Sequence, residues 1–213
     1  MIYKPGFIFL LFGLLVLVAC TEPVPDVMEP LTAASSPSAE EIHQRALVLD
    51  GHADVEIPGK ESRYAGADGR SQVAPDKMRA GGVDAVVMAV AVGPGPRDAQ
   101  GYAESRAKAE EELAAVIKLT EDPSNNLVLA RSADELIGAH RSGKGALILG
   151  FQNARILGTD VSALDSFFDA GVRVFALTNM GHNDFADSSR PIYIAEQGAH
   201  EPVEEHGGLS ELG

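Results

Sequence analysis

The stretch that decides the fold is Ala46-Leu47-Val48-Leu49-Asp50-Gly51-His52-Ala53-Asp54. Ala46 to Asp50 is a brief, continuous and mostly apolar run, the pattern of a strand buried on both faces of a parallel sheet. It ends without a glycine-rich dinucleotide loop; Gly51-His52-Ala53-Asp54 follows instead. Of the two architectures that take repeated strand–helix units, a doubly wound sheet and an eight-stranded βα barrel, this ending favours the barrel.

Outward from that stretch, helical and strand patterns alternate. Upstream, Ser38 with Glu40-Glu41 opens a short helix that ends near Arg45. Downstream, the spacing predicts strands at 83–90, 127–130, 146–150 and 172–177. Between them lie helices at 77–80, 102–120, from Ser132, and at 160–170, with a polar loop over 51–76 and a long loop after 177. Regular alternation of this kind means parallel βα units with helices outside the sheet. The expected fold class is α/β, a (β/α)8 TIM-type barrel of which about five of the eight strands are present. Five strands cannot close such a barrel, so the chain is expected to be the front part of a longer protein, poorly folded and inactive alone.

The amino-terminal end reads differently. Lys4 precedes an apolar run from Phe7 to Ala19, and Leu17-Val18-Ala19-Cys20 closes it. The run is shorter than the roughly 20 residues that span a bilayer, so it reads as a secretory signal. Leu17-Val18-Ala19-Cys20 resembles the bacterial lipobox, which implies lipidation of Cys20 and an exported, membrane-anchored protein on the periplasmic or extracellular face. A plain signal peptide with an incidental cysteine is the other reading. Residues 21–39 are rich in Pro, Ser, Ala, Thr and Glu and read as a flexible linker, leaving 40–213 as the folded part.

Composition narrows the partners. The chain has 213 residues, 45% of them apolar and 23% charged, with a net charge of −14. An acidic chain of this kind is not built to meet nucleic-acid phosphates. Cys20 is the single cysteine, which excludes an intrachain disulfide. Oligomeric state is left open.

His52 and Asp54 stand two apart where a strand ends, the place at which βα barrels carry their chemistry. Residues two apart in extended chain project to one face, so an imidazole and a carboxylate there can close on one divalent cation such as Zn2+. A simple hydrogen bond between the pair, or a loop cap by His52, is the bland reading.

The surrounding residues carry more. Asp50-Gly51-His52-Ala53-Asp54 resembles the opening metal motif of the membrane (renal-type) dipeptidase family, Asp-Gly-His-Asn-Asp. Met78-Arg79-Ala80-Gly81-Gly82-Val83, Ala146 to Asn153, Leu177 to Ser188 and His206-Gly207-Gly208-Leu209-Ser210 resemble the same family, in order along the chain. The resemblance covers Ala46 to the end. It implies a βα barrel and hydrolysis of dipeptides or related small amides at a two-zinc site. It also implies that His52 and Asp54 hold one of the metals.

Two positions depart from the family. Where the resemblance implies a glutamate bridging two metals stands Gln152, which implies one zinc, a weakly held second zinc, or a register shifted by one residue; a loop amide bonded to backbone is the structural reading. Where it implies a substrate-binding histidine stands Asn179. His182, three residues on, reads as a loop residue or a substitute ligand. Asp184 and Asp187 read as loop-holding carboxylates, and His43, His140 and His200 are not credible ligands. The resemblance further implies two histidine ligands and a catalytic aspartate from later strands. These remaining catalytic residues are expected beyond Gly213, so none is assigned within the sequence. A degenerate relative that binds small peptides without hydrolysing them is the alternative function, and a lipoprotein scaffold a third.

Overall fold

The computed structural model describes residues 36–194 and 197–213. The stretch read as a signal sequence, Cys20, and the part of the expected linker up to residue 35 lie outside the described residues.

Helix α1 (Ala39–Arg45) opens with a full capping box: the Ser38 hydroxyl accepts from Glu41 N, and the Glu41 carboxylate accepts from Ser38 N. Strand β1 (Leu49–Asp54) follows, then α2 (Pro75–Gly81), β2 (Ala85–Val90), α3 (Ala99–Glu121), β3 (Leu127–Leu129), α4 (Ala133–Arg141), β4 (Gly145–Phe151), α5 (Ala163–Ala170) and β5 (Val172–Phe175). Short 3-10 turns sit at Pro123–Asn125 and Ala154–Leu157. The expected elements are all present, with one displacement that matters: β1 runs on to Asp54, so His52 and Asp54 lie inside a strand and not in the loop after it.

All five strands pair parallel, but not in simple succession. Strand β2 lies between β1 and β4, and the other edge of β4 is shared. Its first half, Gly145 to Leu147, pairs with β3, and its second half, Leu149 to Phe151, pairs with β5. Strand β3 is therefore a short side stave beside the parallel run β1-β2-β4-β5. The edge strands of that run are the exposed ones: Leu49 of β1 is 45% exposed and Val174 of β5 is 44% exposed, whereas all six residues of β2 are buried.

Period-two alternation sorts the core. Val86, Met88 and Val90 of β2 join Leu147, Leu149 and Phe151 of β4, packed with Leu113 and Val116 of α3 and Phe167 of α5. The alternate positions Ala85 and Ala146 pack with Ala130 and with Ala139 of α4. Phe151 anchors the larger cluster, with its ring edge-on to Phe167 at 4.7 Å and to Phe175 at 5.5 Å.

At the amino ends of the strands, Asp84 ties three elements together. Its Oδ2 accepts from Val48 N at 2.7 Å, and its Oδ1 lies 2.9 Å from Nδ1 of His140 in α4. His140 is thus a packing residue, and His43 likewise bonds the Gly81 carbonyl at 3.1 Å.

The long loop after β5 is more ordered than its composition suggests. Strands β6 (Tyr193–Ile194) and β7 (Ala199–His200) pair antiparallel, and Ala186 bridges to Leu209. The Asp187 carboxylate accepts backbone N–H bonds from Glu205, His206 and Gly208. His182, buried, accepts from Ser188 N on Nδ1 and donates from Nε2 to the Pro202 carbonyl. Both ring nitrogens are engaged in the loop's own bonding. His200 packs against the Tyr193 ring at 5.3 Å. The last residues fold back on the same loop: Ser210 N donates to the Phe185 carbonyl, and Gly213 N donates to the Ser210 hydroxyl, each at 3.0 Å.

Candidate functional site

Local structure at the end of β1 is set by a bulge. Leu49 and Asp50 pair with Ala85 and Val86, then Ala53 and Asp54 pair with Met88 and Ala89. Between Asp50 and Ala53 the strand advances three residues while β2 advances two, so one extra residue is accommodated at Gly51-His52. The Asp50 carboxylate accepts from His52 N at 3.0 Å and holds that kink. The result presents His52 outward and leaves Asp54 half-buried.

Gln152 is delivered by the ladder itself, since its backbone N donates to Val90 O at 3.0 Å, one step past the end of β4. Asn179 arrives from the loop after β5, which is held down where Ala154 N donates to Leu177 O at 3.0 Å. The four side chains singled out in the sequence therefore meet, from the ends of three different strands. The Gln152 amide nitrogen lies 2.9 Å from Nε2 of His52 and 3.3 Å from Oδ1 of Asp54. The Gln152 oxygen accepts from the Asn179 amide at 2.5 Å. Arg190, which the sequence reading missed, donates to the Asn179 oxygen. The site is thus built from the carboxyl ends of β1, β4 and β5.

Asp54, Gln152, Asn179 and Arg190 line a cavity of about 390 Å³ together with Arg63, Tyr64 and Lys108, while His52 lines the hollow beside it. A second hollow of about 260 Å³ adjoins it on the His52 side, walled by Asp50, Asp54, Tyr64 and Gln72. Arg63, Lys108 and Arg190 put three cations against the single carboxylate of Asp54 in the larger cavity, within a chain whose net charge is −14. Such local inversion of charge suits a ligand that carries a carboxylate.

The wall of the cavity that contains Gly93 and Pro94 is held by Arg155. Its guanidinium donates to the carbonyls of Gly93, Pro96 and Gly101 at 3.1, 2.8 and 3.1 Å, and its buried Nε has no partner. Burial lowers the Arg155 pKa from the ordinary arginine value. Further in, burial raises the Glu112 carboxyl above the usual range, although its oxygen accepts from Ala91 N at 2.8 Å. Asn183 is fully buried and saturated: it donates to Asn153 and Leu177 and accepts from Phe185 N and Ala186 N. Neither Arg155 nor Asn183 carries a sequence signal, because a polar residue in a loop reads as solvated until the packing around it is known.

The donor set decides what a metal could find here. His52 and Asp54 offer an imidazole and a carboxylate to one point, and both fit positions in the shell of one divalent cation. Gln152 does not fit as a bridge between two cations, being uncharged and with its oxygen turned to Asn179. Among the described residues no three His, Cys, Asp or Glu side chains form a metal-binding group. Also among the described residues, no helix is long and apolar enough to cross a membrane.

The family model of the membrane dipeptidases, peptidase family M19, matches residues 37–213. The crystal structure of the probable dipeptidase PvdM from Pseudomonas aeruginosa is 29% identical and superposes with a TM-score of 0.69, covering 81% of this chain and 44% of that one. An amidohydrolase from Pseudomonas aeruginosa (22% identity, TM-score 0.57) covers 81% of this chain and 42% of its own. A metallo peptidase from Rhodobacter sphaeroides, liganded with a phosphinate mimic of the dipeptide L-Ala-D-Ala, shares the fold at 17% identity and a TM-score of 0.53, covering 78% of this chain and 53% of its own. The chain thus spans about half the length of these structures. A search of functionally described proteins gives no match. The match over 37–213, on a parallel sheet whose strand ends gather His52, Asp54, Gln152 and Asn179, establishes that the chain belongs to the membrane dipeptidase family of metal-dependent hydrolases.

Proposed function

We propose that this protein hydrolyses dipeptides or related small amides with a zinc-activated water, and that His52 and Asp54 hold one Zn2+. The observation that carries the reading is the approach of both side chains to one point, the Gln152 amide nitrogen, at 2.9 and 3.3 Å. When bound, Zn2+ supplies a Lewis acid that polarises a carbonyl and brings the pKa of a water toward about 7.

The chain's own residues supply binding and orientation. Arg190, Arg63 and Lys108 attract a peptide carboxylate into the cavity. The Asn179 amide, lining the same cavity, is placed to donate to a substrate carbonyl or developing oxyanion, in the position where the family carries a histidine. Tyr64 and Met180 close the sides and limit the size of the ligand. The liganded Rhodobacter relative holds a dipeptide mimic, which supports a ligand of that class.

A second reading, binding of small peptides without hydrolysis, is favoured by the uncharged Gln152 and Asn179. The His52→Ala variant separates the two. Hydrolysis predicts loss of bound zinc and of dipeptide turnover; turnover equal to that of the unaltered protein would sink the metal mechanism, and peptide binding retained with no turnover in either protein supports the binder.

Export and anchoring through lipidated Cys20 belong to the same proposal, supported by the lipobox-like Leu17-Val18-Ala19-Cys20. Mass spectrometry of the amino terminus in the expressing bacterium tests it, and an unmodified Cys20 would refute it.

A further inference from the structure

Hydrogen-bond polarity along the site runs in one direction. A guanidinium has five N–H donors and no acceptor, and an ionised carboxylate accepts only. Arg190 Nη2 donates to Asn179 Oδ1, so the Asn179 amide nitrogen must point the other way, and it donates to Gln152 Oε1 at 2.5 Å. The Gln152 nitrogen is then the group left facing His52 Nε2 at 2.9 Å and Asp54 Oδ1 at 3.3 Å. Both ends enforce the same order. Turning Asn179 over would set its NH2 against Arg190, and turning Gln152 over would set its oxygen against the Asp54 carboxylate.

We infer that Arg190 is a positioning residue that orients the two amides and so keeps the Gln152 nitrogen in the notch between His52 and Asp54, where a divalent cation has to enter. The inference rests on the reading that His52 and Asp54 hold such a cation. Gln152 acts as an internal plug: its N–H groups satisfy the imidazole lone pair and the carboxylate when no cation is bound, and uptake requires them to leave. The relay also sets the tautomer of His52, because Nε2 accepts from Gln152 and the ring hydrogen therefore sits on Nδ1.

Two measurements on the full chain test this. Calorimetric titration with Zn2+ compares the unaltered protein with Arg190→Met and Arg63→Met. Both variants remove one positive charge from the cavity, but only Arg190 feeds the relay. Arg190→Met is expected to tighten Zn2+ by about tenfold or more, and Arg63→Met by no more than about twofold. Equal tightening in the two variants would mean that charge alone is at work, and no tightening in Arg190→Met would mean that the plug does not depend on Arg190; either overturns the inference.

The second measurement needs no metal. Nitrogen-15 spectra of the imidazoles are expected to show His52 with its hydrogen on Nδ1 in the unaltered protein and a mixture of tautomers in Arg190→Met, with the amide spectrum elsewhere unchanged. A tautomer that is the same in both proteins overturns the inference. Failure of every variant to bind Zn2+ is a separate outcome: it removes the metal reading of the site, while the tautomer still decides whether Arg190 orients the relay.

Discussion

His52 and Gln152 stand one hundred residues apart in sequence, yet the Gln152 amide nitrogen is 2.9 Å from His52 Nε2. The contact joins the end of β1 to the end of β4 across β2. It puts a neutral amide where the family resemblance implies an anionic bridge.

Gln152→Glu restores that charge. A carboxylate there cannot donate to Asp54, so the plug is lost and a third anionic or lone-pair donor is gained. Zinc content per chain after dialysis is expected to rise, with affinity for Zn2+ tightened by about tenfold or more. An unchanged zinc content would show that position 152 does not face the cation.

The carboxyl of Asp187 offers a pH test of the loop after β5. Desolvation works to raise its pKa but is outweighed by backbone N–H bonds from Gly208, His206 and Glu205, which bring it down to about 2. A folded pKa below the unfolded one means that the stabilisation is present above the ordinary aspartate range and is lost as pH falls from there through about 2. The protection of the Glu205, His206 and Gly208 amides, relative to their intrinsic exchange at each pH, is expected to fall over that window. In Asp187→Asn those amides should exchange fast at every pH; slow exchange in the variant would count against the assignment.

Phe151 fills the junction of β4, β5 and α5 at 2% exposure. Phe151→Ala removes a ring packed on two others and leaves a cavity, at a cost of about 3–5 kcal/mol. The midpoint of urea unfolding should fall accordingly. Because Gln152 follows directly, the variant should also loosen the site, seen as broadened side-chain amide signals of Gln152.

Gly101→Ala tests the cavity wall. A Cβ at this position would lie 2.2 Å from the Pro96 carbonyl oxygen, which is backbone and cannot swing aside. Gly101 also accepts from Arg155 through its own carbonyl. The substitution is expected to cost on the order of 1–3 kcal/mol and to displace the Gly93–Pro96 segment. A melting temperature equal to that of the unaltered protein would refute the close packing.

Much of the fold was legible from local pattern. The buried runs at 83–90 and 146–150 became β2 and β4 because a strand covered on both faces needs continuous apolar residues, and Ser38 and Ser132 marked helix starts because a hydroxyl satisfies the free N–H groups of a first turn. The end of β1 lies beyond the expected one, since Gly51, His52 and Asp54 look like loop residues when nothing reveals that they line a strand edge. The sharing of β4 between β3 and β5 had no local signal, because register depends on partners far along the chain.

The site divides in the same way. Sequence alone determined the residue types, the family resemblance and the spacing by two of His52 and Asp54, because spacing and motif order are properties of the chain itself. Tertiary structure alone decided that Gln152, Asn179 and Arg190 join that pair in one directed run of hydrogen bonds, and which end of each amide points where. The reason is physical: the direction of an amide follows from the donors and acceptors beside it, and those come from strand ends that only folding brings together.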